Sequence, residues 1–440
     1  MWSARVDEVG VVRTRYLEVV MAMSLAERRS GFGTALRSCR VTLGLTQEEL
    51  AERSGLSVRA IRNLEIGRTE RPQQQSVELL ATALRLTGTD RTALLAAAGR
   101  VAPPHRPGRC ELPADVPGLV GRDTVVATLT RVLTTGAAPR LALVAGGPGV
   151  GRTALATHVA HRLRDRFPDG QVYADLDRPD GGPLPPEAVV GRILRSLGAT
   201  DLPDGLEERA ALLRADLAAR RVLVVLDNVA TEAQVRPLLT GSSPSAVLVT
   251  SRRRLVALPG GYPVQLDPLG ADGALLLLAQ LTGAARVRAE PAAARSVTAA
   301  CARQPLALHI AGTWLATRPD RAVADLAALL ADEHRLLDRL EIADLSVRAS
   351  IAAYDRALRQ EDRHLLRALS HLDAARFTPA ALCHQLATAA AVLRDGVERL
   401  LHANLLTTAG RDGDRHYRVD PLVRRYALED DGVTRLRAAR

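Results

Sequence analysis

The chain has 440 residues, of which 47% are hydrophobic, and a formal net charge of +10 at pH 7. This length exceeds one ordinary domain and predicts two to four. No apolar run approaches the roughly 20 residues of a membrane span, and the four cysteines match no metal-ligand spacing. All basic residues are arginines spread along the chain, so the net charge alone is weak evidence for nucleic acid. Composition therefore excludes a membrane-spanning protein and a cysteine-based metal site, and predicts a cytoplasmic protein with reduced thiols.

After an N-terminal arm (1–30), the sequence pattern of residues 31–100 predicts an all-α domain of five short helices. These helices are expected at 33–43, 47–53, 58–66, 76–86 and 89–98. Thr46 and Glu49 have the spacing of a capping box for the second helix, and Ser57 is placed to cap the third. Two helices joined by a short turn that contains Gly55 form the helix-turn-helix arrangement.

The third helix of this domain has an apolar face and a polar face. Helical spacing directs Ile61 and Leu64 to the core and places Arg59, Arg62 and Asn63 on one exposed stripe. Arginine and asparagine suit base edges and phosphates in a DNA major groove. Taken alone, the same stripe also fits a solvated charged surface.

The order of residues through this domain is more specific than the stripe alone. It runs Arg40-x3-Gly44-Leu45-Thr46-Gln47-Glu48-Glu49-Leu50-Ala51, then Ser57-x3-Ile61-x2-Leu64-Glu65-x-Gly67-Arg68. This pattern closely resembles the phage-repressor-like (Xre/Cro) helix-turn-helix family. The resemblance implies double-stranded DNA as a partner, read as two half-sites by a dimer, and an internal ion pair between Arg40 and Glu65. The residues that it implies at the DNA are Gln47, Ser57, Val58, Arg59, Arg62, Asn63, Arg68 and Arg71.

After a proline-rich linker (101–117), residues 118–267 alternate strands with helices. Strands are expected near 141–145, 170–176, 221–228 and 245–252, and helices at 124–133, 186–197 and 206–219. This alternation predicts an α/β domain with a parallel sheet covered on both faces. Its ligand site is expected at the carboxyl ends of the strands.

The first of these strands runs into a glycine-rich turn and a helix that begins near Gly151. From Gly146 to Thr153 the chain fits the phosphate-binding template G-x-x-x-x-G-K-[ST], except that Arg152 replaces lysine. Glycines allow backbone N–H groups to surround an anion at a helix N-terminus. Arg152 leaves three interpretations open, since a guanidinium is wider and longer than an ammonium. It binds phosphates imperfectly and slows hydrolysis, it points away, or the site is empty; we favour retained binding with little turnover.

Asp227 follows a buried apolar run and is a candidate ligand for Mg²⁺ together with the Thr153 hydroxyl. Asn228 follows it, where many hydrolytic P-loop proteins have a second carboxylate. No obvious general base is therefore in place. ADP or ATP with Mg²⁺ are the expected cofactors, and the chain is expected to be at most a slow ATPase.

Helices dominate the rest of the chain. They are expected at 273–281, 291–303, 305–317, 322–331, 346–358, 363–369, 378–386, 389–402 and 421–428. Strands at 405–409 and 415–419 flank a turn of glycine, aspartate and arginine, which predicts a hairpin after a trio of helices, as in a winged helix. The predicted domains are a helical domain (268–340) and a winged-helix domain (341–430), followed by a tail (431–440).

Five motifs occur in a fixed order: Val120-Gly121-Arg122, the glycine-rich loop, Leu226-Asp227-Asn228, Thr250-Ser251-Arg252 and Arg303-Gln304-Pro305-Leu306-Ala307-Leu308. This order resembles the NB-ARC class of signal-transducing (STAND) P-loop ATPases, and its fusion to a helix-turn-helix is typical of actinobacterial regulators of secondary metabolism. The resemblance implies an ARC1-like helical domain, an ARC2-like winged helix, Arg252 as a γ-phosphate sensor and Pro305 packed on the nucleotide. The residues that it implies at the nucleotide are Val120, Gly121, Arg122, Gly146, Gly147, Pro148, Gly149, Val150, Gly151, Arg152, Thr153, Ala154, Arg252 and Pro305.

Two motifs depart from the family pattern. The family's Gly-Leu-Pro-Leu is Arg303-Gln304-Pro305-Leu306 here, and its Met-His-Asp is Val419-Asp420-Pro421. In the family that histidine latches an ADP-bound closed state. An aspartate facing a β-phosphate would repel it, so the latch is expected to be absent or different.

The favoured hypothesis is a transcriptional regulator in which ADP favours a closed monomer and ATP an open, self-associated form. The alternative is a degenerate, non-switching NB-ARC scaffold beside a constitutive DNA-binding domain. An active ATPase motor is least favoured. No repeat array of the kind that senses ligands in this class is seen, so a separate sensor protein is a candidate partner.

Overall fold

The computed structural model describes residues 32–69, 72–86, 91, 94, 98, 109–116, 118–135, 140–178, 182–239, 243–372, 377, 378, 382, 390–409 and 416–438. The chain divides into two compact units, residues 1–106 and 107–440. Among the described residues, no helix combines the length and the apolar character needed to cross a membrane.

The first unit contains helices α1 (Phe32–Thr42), α2 (Gln47–Ser54), α3 (Val58–Glu65) and α4 (Gln74–Ala83). The predicted capping box is confirmed: the Glu49 N–H donates to the Thr46 hydroxyl, and the Thr46 N–H donates to the Glu49 carboxylate. Gly55 ends α2 with a φ of 70°, a value that favours glycine. Apolar side chains from all of these helices form one core. Most of the predicted fifth helix (89–98) lies outside the described residues.

The second unit contains a parallel sheet of strands β1 (Leu141–Gly146), β2 (Gly170–Asp175), β3 (Val222–Val229), β4 (Ala246–Ser251) and β5 (Gly261–Leu266). Their order is β2-β3-β4-β1-β5. β1 to β4 match the predicted strands. β5 was not predicted: it is an exposed edge strand that contains Pro263, so it lacks the continuous apolar run of the buried strands.

Helices cover both faces of this sheet, as predicted. Helices α5 (Asp123–Thr135) and α6 (Arg152–Arg162) pack on one face, and α7 (Pro186–Ser196) and α8 (Leu206–Ala219) pack on the other. The alternation of side chains along β3 shows the two layers. Val222, Val224 and Leu226 face the core with α7 and α8, whereas Leu223 and Val225 face the core with α5 and α6.

The C-terminal region, residues 268–438, is mainly helical and has one core that runs from Leu269 to Val423. Two short antiparallel pairs, β6 (Glu341–Ile342) with β7 (Leu345–Ser346) and β8 (Leu406–Ala409) with β9 (His416–Val419), interrupt the helices. The second pair is the predicted hairpin. The helices are α9 (Ala271–Thr282), α10 (Ala284–Ala289), α11 (Pro291–Ala300), α12 (Pro305–Ala316), α13 (Val323–Leu330), α14 (Leu336–Arg339), α15 (Val347–Asp355), α16 (Gln360–His371), α17 (Ala390–His402) and α18 (Pro421–Ala438).

Residues 109–116, predicted as the end of the linker, pack within the second unit. Glu111 N–H donates to the Gln171 carbonyl at 2.9 Å, and Gln171 N–H donates to the Arg109 carbonyl at 3.0 Å. His161 of α6 hydrogen-bonds the Pro113 carbonyl at 2.8 Å. The segment that leads into the α/β region is therefore attached to the edge strand β2 and to α6.

Candidate functional site

The glycine loop, residues 146–153, joins β1 to α6. Gly149 and Gly151 have φ values of 69° and 87°, which side chains with a Cβ adopt at a cost. A Cβ at Gly146 would lie 2.6 Å from the Leu266 carbonyl oxygen of β5, so only glycine fits there. The loop has the tight, glycine-dependent path that the template predicts.

The backbone N–H groups of this loop are available to a ligand. Within the described part of the chain, no hydrogen bond uses the N–H of Gly149, Val150 or Gly151. These donors stand at the N-terminus of α6, where the helix dipole favours an anion. The arrangement suits a phosphate group.

The Arg152 side chain folds back onto its own loop. Its Nη1 donates to the carbonyls of Gly146 at 2.7 Å and Gly147 at 2.8 Å, and also to the hydroxyl of Tyr354. The guanidinium carbon lies 5.4 Å from the centre of the Tyr354 ring, within cation–π range. The Nε of Arg152 is buried and has no hydrogen-bond partner among the described residues. Nη1 of Arg152 is therefore satisfied by protein, and Nε still lacks an acceptor among the described residues.

Asp227, at the carboxyl end of β3, is only 1% exposed and accepts several hydrogen bonds. The Thr153 hydroxyl donates to Oδ2 at 2.8 Å, the Tyr173 hydroxyl donates to Oδ2 at 3.0 Å, and the Thr250 hydroxyl donates to Oδ1. Burial raises the pKa of Tyr173, and the neighbouring charge of Asp227 raises it further. Thr153 and Asp227, the predicted Mg²⁺ pair, are thus brought together.

Asn228 has a φ of 57° at a shift in the register between β3 and β4. Its N–H donates to the Thr250 hydroxyl at 3.0 Å, and its Nδ2 donates to Asp175 at 3.0 Å. Asparagine tolerates this left-handed conformation better than most residues. Its side chain connects the ends of β2 and β3, and as an amide it is not a general base.

Arg122 holds the glycine loop from the entry segment. Its Nη2 donates to the Asp267 carbonyl at 2.7 Å and to the Val150 carbonyl at 3.2 Å. The side chain is buried, and burial lowers the pKa of Arg122. Of the other predicted nucleotide residues, Val120 is buried beside it, Gly121 has a φ of 65°, Pro148 is buried in the loop and Ala154 lies in the first turn of α6.

Arg252, the predicted γ-phosphate sensor, forms an ion pair with Asp177 beyond the end of β2. Its carbonyl accepts a 2.8 Å hydrogen bond from Nδ2 of Asn404. The carbonyl of Asn404 in turn lies 3.2 Å from the position of a Cβ on Gly147. The C-terminal region therefore contacts both the glycine loop and the Arg252 turn.

The start of α12 lies against the glycine loop. Leu306 N–H donates to the Gly149 carbonyl at 3.1 Å, and Pro305 lies 3.8 Å from the position of a Cβ on Gly151. Gln304, which precedes it, donates from Nε2 to Asp420 at 2.9 Å. Pro305, which the resemblance places on the nucleotide, thus lies beside the glycine loop.

Asp420 is occupied by protein donors. Its Oδ1 accepts hydrogen bonds from the N–H groups of Leu422 at 2.9 Å and Val423 at 3.2 Å, at the start of α18. Burial raises the pKa of Asp420, although the hydrogen bond from Gln304 opposes the shift. Asp420 is therefore a helix cap paired to Gln304.

Four residues around the loop were not predicted: Tyr173, Thr250, Tyr354 and Asn404. Tyr173 lies two residues before Asp175 on β2, so strand alternation places both side chains on one face of the sheet. This spacing could have identified Tyr173 from the sequence. Thr250 belonged to a recognised motif without an assigned role. Tyr354 and Asn404 reach the loop through tertiary packing, for which the sequence carries no local signal.

In the first unit, α3 has the predicted faces. Ile61 and Leu64 are buried, and Arg59 and Arg62 are exposed. Asn63 is half-buried beside them. The exposed end of the helix also carries Val58, Arg68 lies exposed after the helix, and Ser57 caps the helix by accepting from the Ala60 N–H at 3.2 Å. Arg71 lies outside the described residues.

The predicted ion pair of this unit is confirmed. Arg40 Nε lies 2.6 Å from Oε1 of Glu65, and both side chains are largely buried. Gln47 Nε2 donates to Oε2 of Glu65 at 2.7 Å. The amide donor of Gln47, a predicted DNA contact, is thus used to fix α2 against α3.

Comparisons with known proteins give separate matches in the first unit and in the second unit. A family model described as a helix-turn-helix domain matches residues 32–94, and one described as an NB-ARC domain matches residues 122–288. The regulatory protein AfsR of Streptomyces griseus is 43% identical over 321 residues, which are 72% of this chain and 33% of that protein. AfsR of Streptomyces coelicolor is 42% identical over 326 residues, which are 72% and 32%.

The chain spans about a third of the length of these curated relatives. Among solved structures, a Walker-type ATPase of Pyrococcus abyssi has a TM-score of 0.48 at 16% identity, over 70% of this chain and 95% of that chain. The two family matches and the relatives together decide the classification. The chain therefore carries an N-terminal helix-turn-helix domain followed by an NB-ARC domain, and the AfsR regulatory proteins are among its relatives.

Proposed function

We propose that this protein is a DNA-binding transcriptional regulator whose NB-ARC module binds ADP or ATP and thereby controls conformation or self-association. The observation that carries the proposal is that the glycine loop forms both the candidate phosphate site and a contact with the C-terminal region. The glycine loop offers unused N–H donors to a phosphate, and the same loop touches Tyr354, Leu306 and Asn404 of the C-terminal region. A ligand bound to the loop would therefore directly affect the contacts between the loop and the C-terminal region.

The residues present fit an adenine nucleotide with Mg²⁺. The unpartnered Nε of Arg152 is a buried donor beside the loop and suits an anion. Thr153 and Asp227 supply adjacent oxygen ligands of the hard type that Mg²⁺ prefers. When bound, the ion would neutralise phosphate charge. Val120, Gly121, Arg122, Arg252 and Pro305 complete the proposed nucleotide site.

The proposed DNA-binding surface is the exposed face of α3 with the residues around it. Arg59 and Arg62 stand outward from a helix whose opposite face is buried, which suits major-groove entry. Val58, Ser57, Asn63 and Gln47 flank them, and Arg68 and Arg71 are proposed phosphate contacts. The AfsR relatives are named regulatory proteins, which supports the assignment.

In the C-terminal region, we assign residues 268–340 to an ARC1-like helical domain and residues 341–430 to an ARC2-like winged helix. The β8–β9 hairpin between α17 and α18 supports the second assignment. In this scheme the nucleotide state would set the position of the winged helix, and through it self-association. A separate sensor protein would supply the signal.

One observation favours the alternative, a non-switching scaffold. Arg152, Asp227 and Asp420 are all engaged by protein groups, so the arrangement around the loop has contacts that need no nucleotide. Asn228 also stands where many hydrolytic P-loop proteins have a second carboxylate, which keeps an ATPase motor the least favoured function.

The test is nucleotide content followed by titration. Purified protein is denatured and the released nucleotide identified by chromatography; the stripped protein is then titrated with Mg-ADP and Mg-ATP. Size by light scattering and affinity for DNA selected from a random pool are compared between the two states. We expect bound ADP and a difference between ADP and ATP in size or DNA affinity. Protein that binds DNA but neither nucleotide would establish the scaffold instead.

A further inference from the structure

Tyr354 reaches the glycine loop from a distant part of the chain. It lies near the end of α15 and is 3% exposed. Its hydroxyl donates to the Gly146 carbonyl at 2.7 Å across a sequence separation of 208 residues, and accepts from Nη1 of Arg152. Burial raises the pKa of Tyr354, so the hydroxyl keeps its proton and remains a donor at neutral pH.

The contact fixes the orientation of Arg152. A guanidinium is planar and has five N–H donors in a rigid fork. Once Nη1 is held by the Gly146 and Gly147 carbonyls and by Tyr354, the plane and the directions of the remaining donors are fixed. One of these, Nε, is buried and unpartnered among the described residues. A buried, charged donor without an acceptor is costly, which points to a ligand acceptor at this place.

We propose that Tyr354 is a positioning residue that orients Arg152 toward the nucleotide phosphate and links α15 to the occupancy of the glycine loop. This inference rests on the proposed nucleotide binding and adds a route by which the C-terminal region responds to it. It also accounts for arginine at position 152. The longer guanidinium reaches both the loop carbonyls and Tyr354, whereas the ammonium of lysine is a point charge that does not have to be oriented by a neighbour.

The link acts in both directions. If phosphate holds Arg152 in the orientation that Tyr354 favours, bound nucleotide stabilises the contact between α15 and the glycine loop. By thermodynamic linkage, movement of α15 away from the loop weakens nucleotide binding by the same factor. Through Tyr354, the contact of α15 with the loop therefore depends on whether nucleotide is bound there.

The test is a double-mutant cycle on the full chain, with Tyr354→Phe, Arg152→Lys and the double variant. Mg-ADP affinity is measured by calorimetry. Tyr354→Phe keeps the ring and removes the hydroxyl, so we expect about tenfold weaker binding with Arg152 present and less than about twofold in the Arg152→Lys background. Tyr417→Phe, which removes the hydroxyl of another buried tyrosine in the C-terminal region, is the matched control and should leave affinity unchanged.

A second readout follows α15 itself. Mg-ADP should slow hydrogen exchange of the α15 amides in the wild type, and much less in Tyr354→Phe. If the wild type binds no ADP, the proposed nucleotide site and the role of Tyr354 both fail. If it binds ADP but Tyr354→Phe binds equally well, or its loss is the same beside Arg152→Lys, only the role of Tyr354 is refuted. Unchanged α15 exchange on ADP binding would also refute that role.

Discussion

Nε2 of Gln304 donates a 2.9 Å hydrogen bond to Oδ2 of Asp420, and each residue immediately precedes a helix that begins with proline. Both residues lie in motifs that differ from the pattern expected for the NB-ARC class. The departures therefore meet in one contact, which joins α12, beside the glycine loop, to the start of α18. In this structure Asp420 accepts hydrogen bonds from Gln304 and from the N–H groups at the start of α18.

Asp420→Ala should destabilise the C-terminal region. The change removes the acceptor for the Leu422 and Val423 N–H groups and leaves the Gln304 amide, 1% exposed, without that partner. Loss of a helix cap and of a buried acceptor costs about 1–3 kcal/mol. Thermal unfolding would show a lower midpoint, and α18 amides would exchange faster. The exposed Asp320→Ala is the control; equal midpoints for both variants would contradict a stabilising role.

Thr153→Ala should weaken the Mg²⁺ dependence of nucleotide binding. Thr153 is exposed at the start of α6, and its loss removes the hydroxyl that donates to Asp227, which keeps the hydroxyls of Tyr173 and Thr250 as donors. In the wild type, Mg²⁺ should strengthen ATP binding relative to EDTA, and the variant should lose most of that gain, about tenfold. Calorimetric titrations with and without EDTA measure it. Thr128→Ala on α5 is the control, and an undiminished Mg²⁺ effect in Thr153→Ala would remove Thr153 from the proposed metal site.

Local signals predicted much of the fold, and non-local contacts account for what was missed. The capping box at Thr46, the glycine loop and the buried strand before Asp227 are each encoded within a few residues, so their elements were predictable. The contacts of Tyr173 with Asp227 and of Tyr354 with Gly146 depend on strand order and on packing between distant segments. The orientation of Arg152 was open for the same reason, because Tyr354 helps to decide it.

Glu65→Gln should reveal a pH-dependent contribution to the first unit. Burial would raise the pKa of Glu65, but hydrogen bonds from Arg40 and Gln47 outweigh it and lower the pKa below its usual value, about 4.3. The ionised form is therefore stabilised by folding. Its contribution is complete above the usual pKa and is lost as the pH falls through the lower, folded value.

The melting temperature of Glu65→Gln should lie below that of the wild type at pH 7, for a loss of about 1–2 kcal/mol. The difference should shrink as the pH falls below about 4. Glu52→Gln, an exposed change on α2, should match the wild type throughout. A gap between Glu65→Gln and wild type that stays constant with pH would show that ionisation of Glu65 is not the cause.

Arg59→Ala and Arg68→Ala should affect DNA binding in different ways. Arg59 stands on the exposed face of α3, where a side chain reaches base edges, so its loss should cost about 1–3 kcal/mol at one operator position and relax the preference there. Arg68 follows the helix and is a proposed phosphate contact, so its loss should weaken all sequences alike and reduce the salt slope by about one. Binding of the full chain to selected DNA and its single-base variants, at several salt concentrations, separates the two. Arg37→Ala, exposed on α1, is the control; if all three variants bind like the wild type, α3 is not the DNA-reading helix.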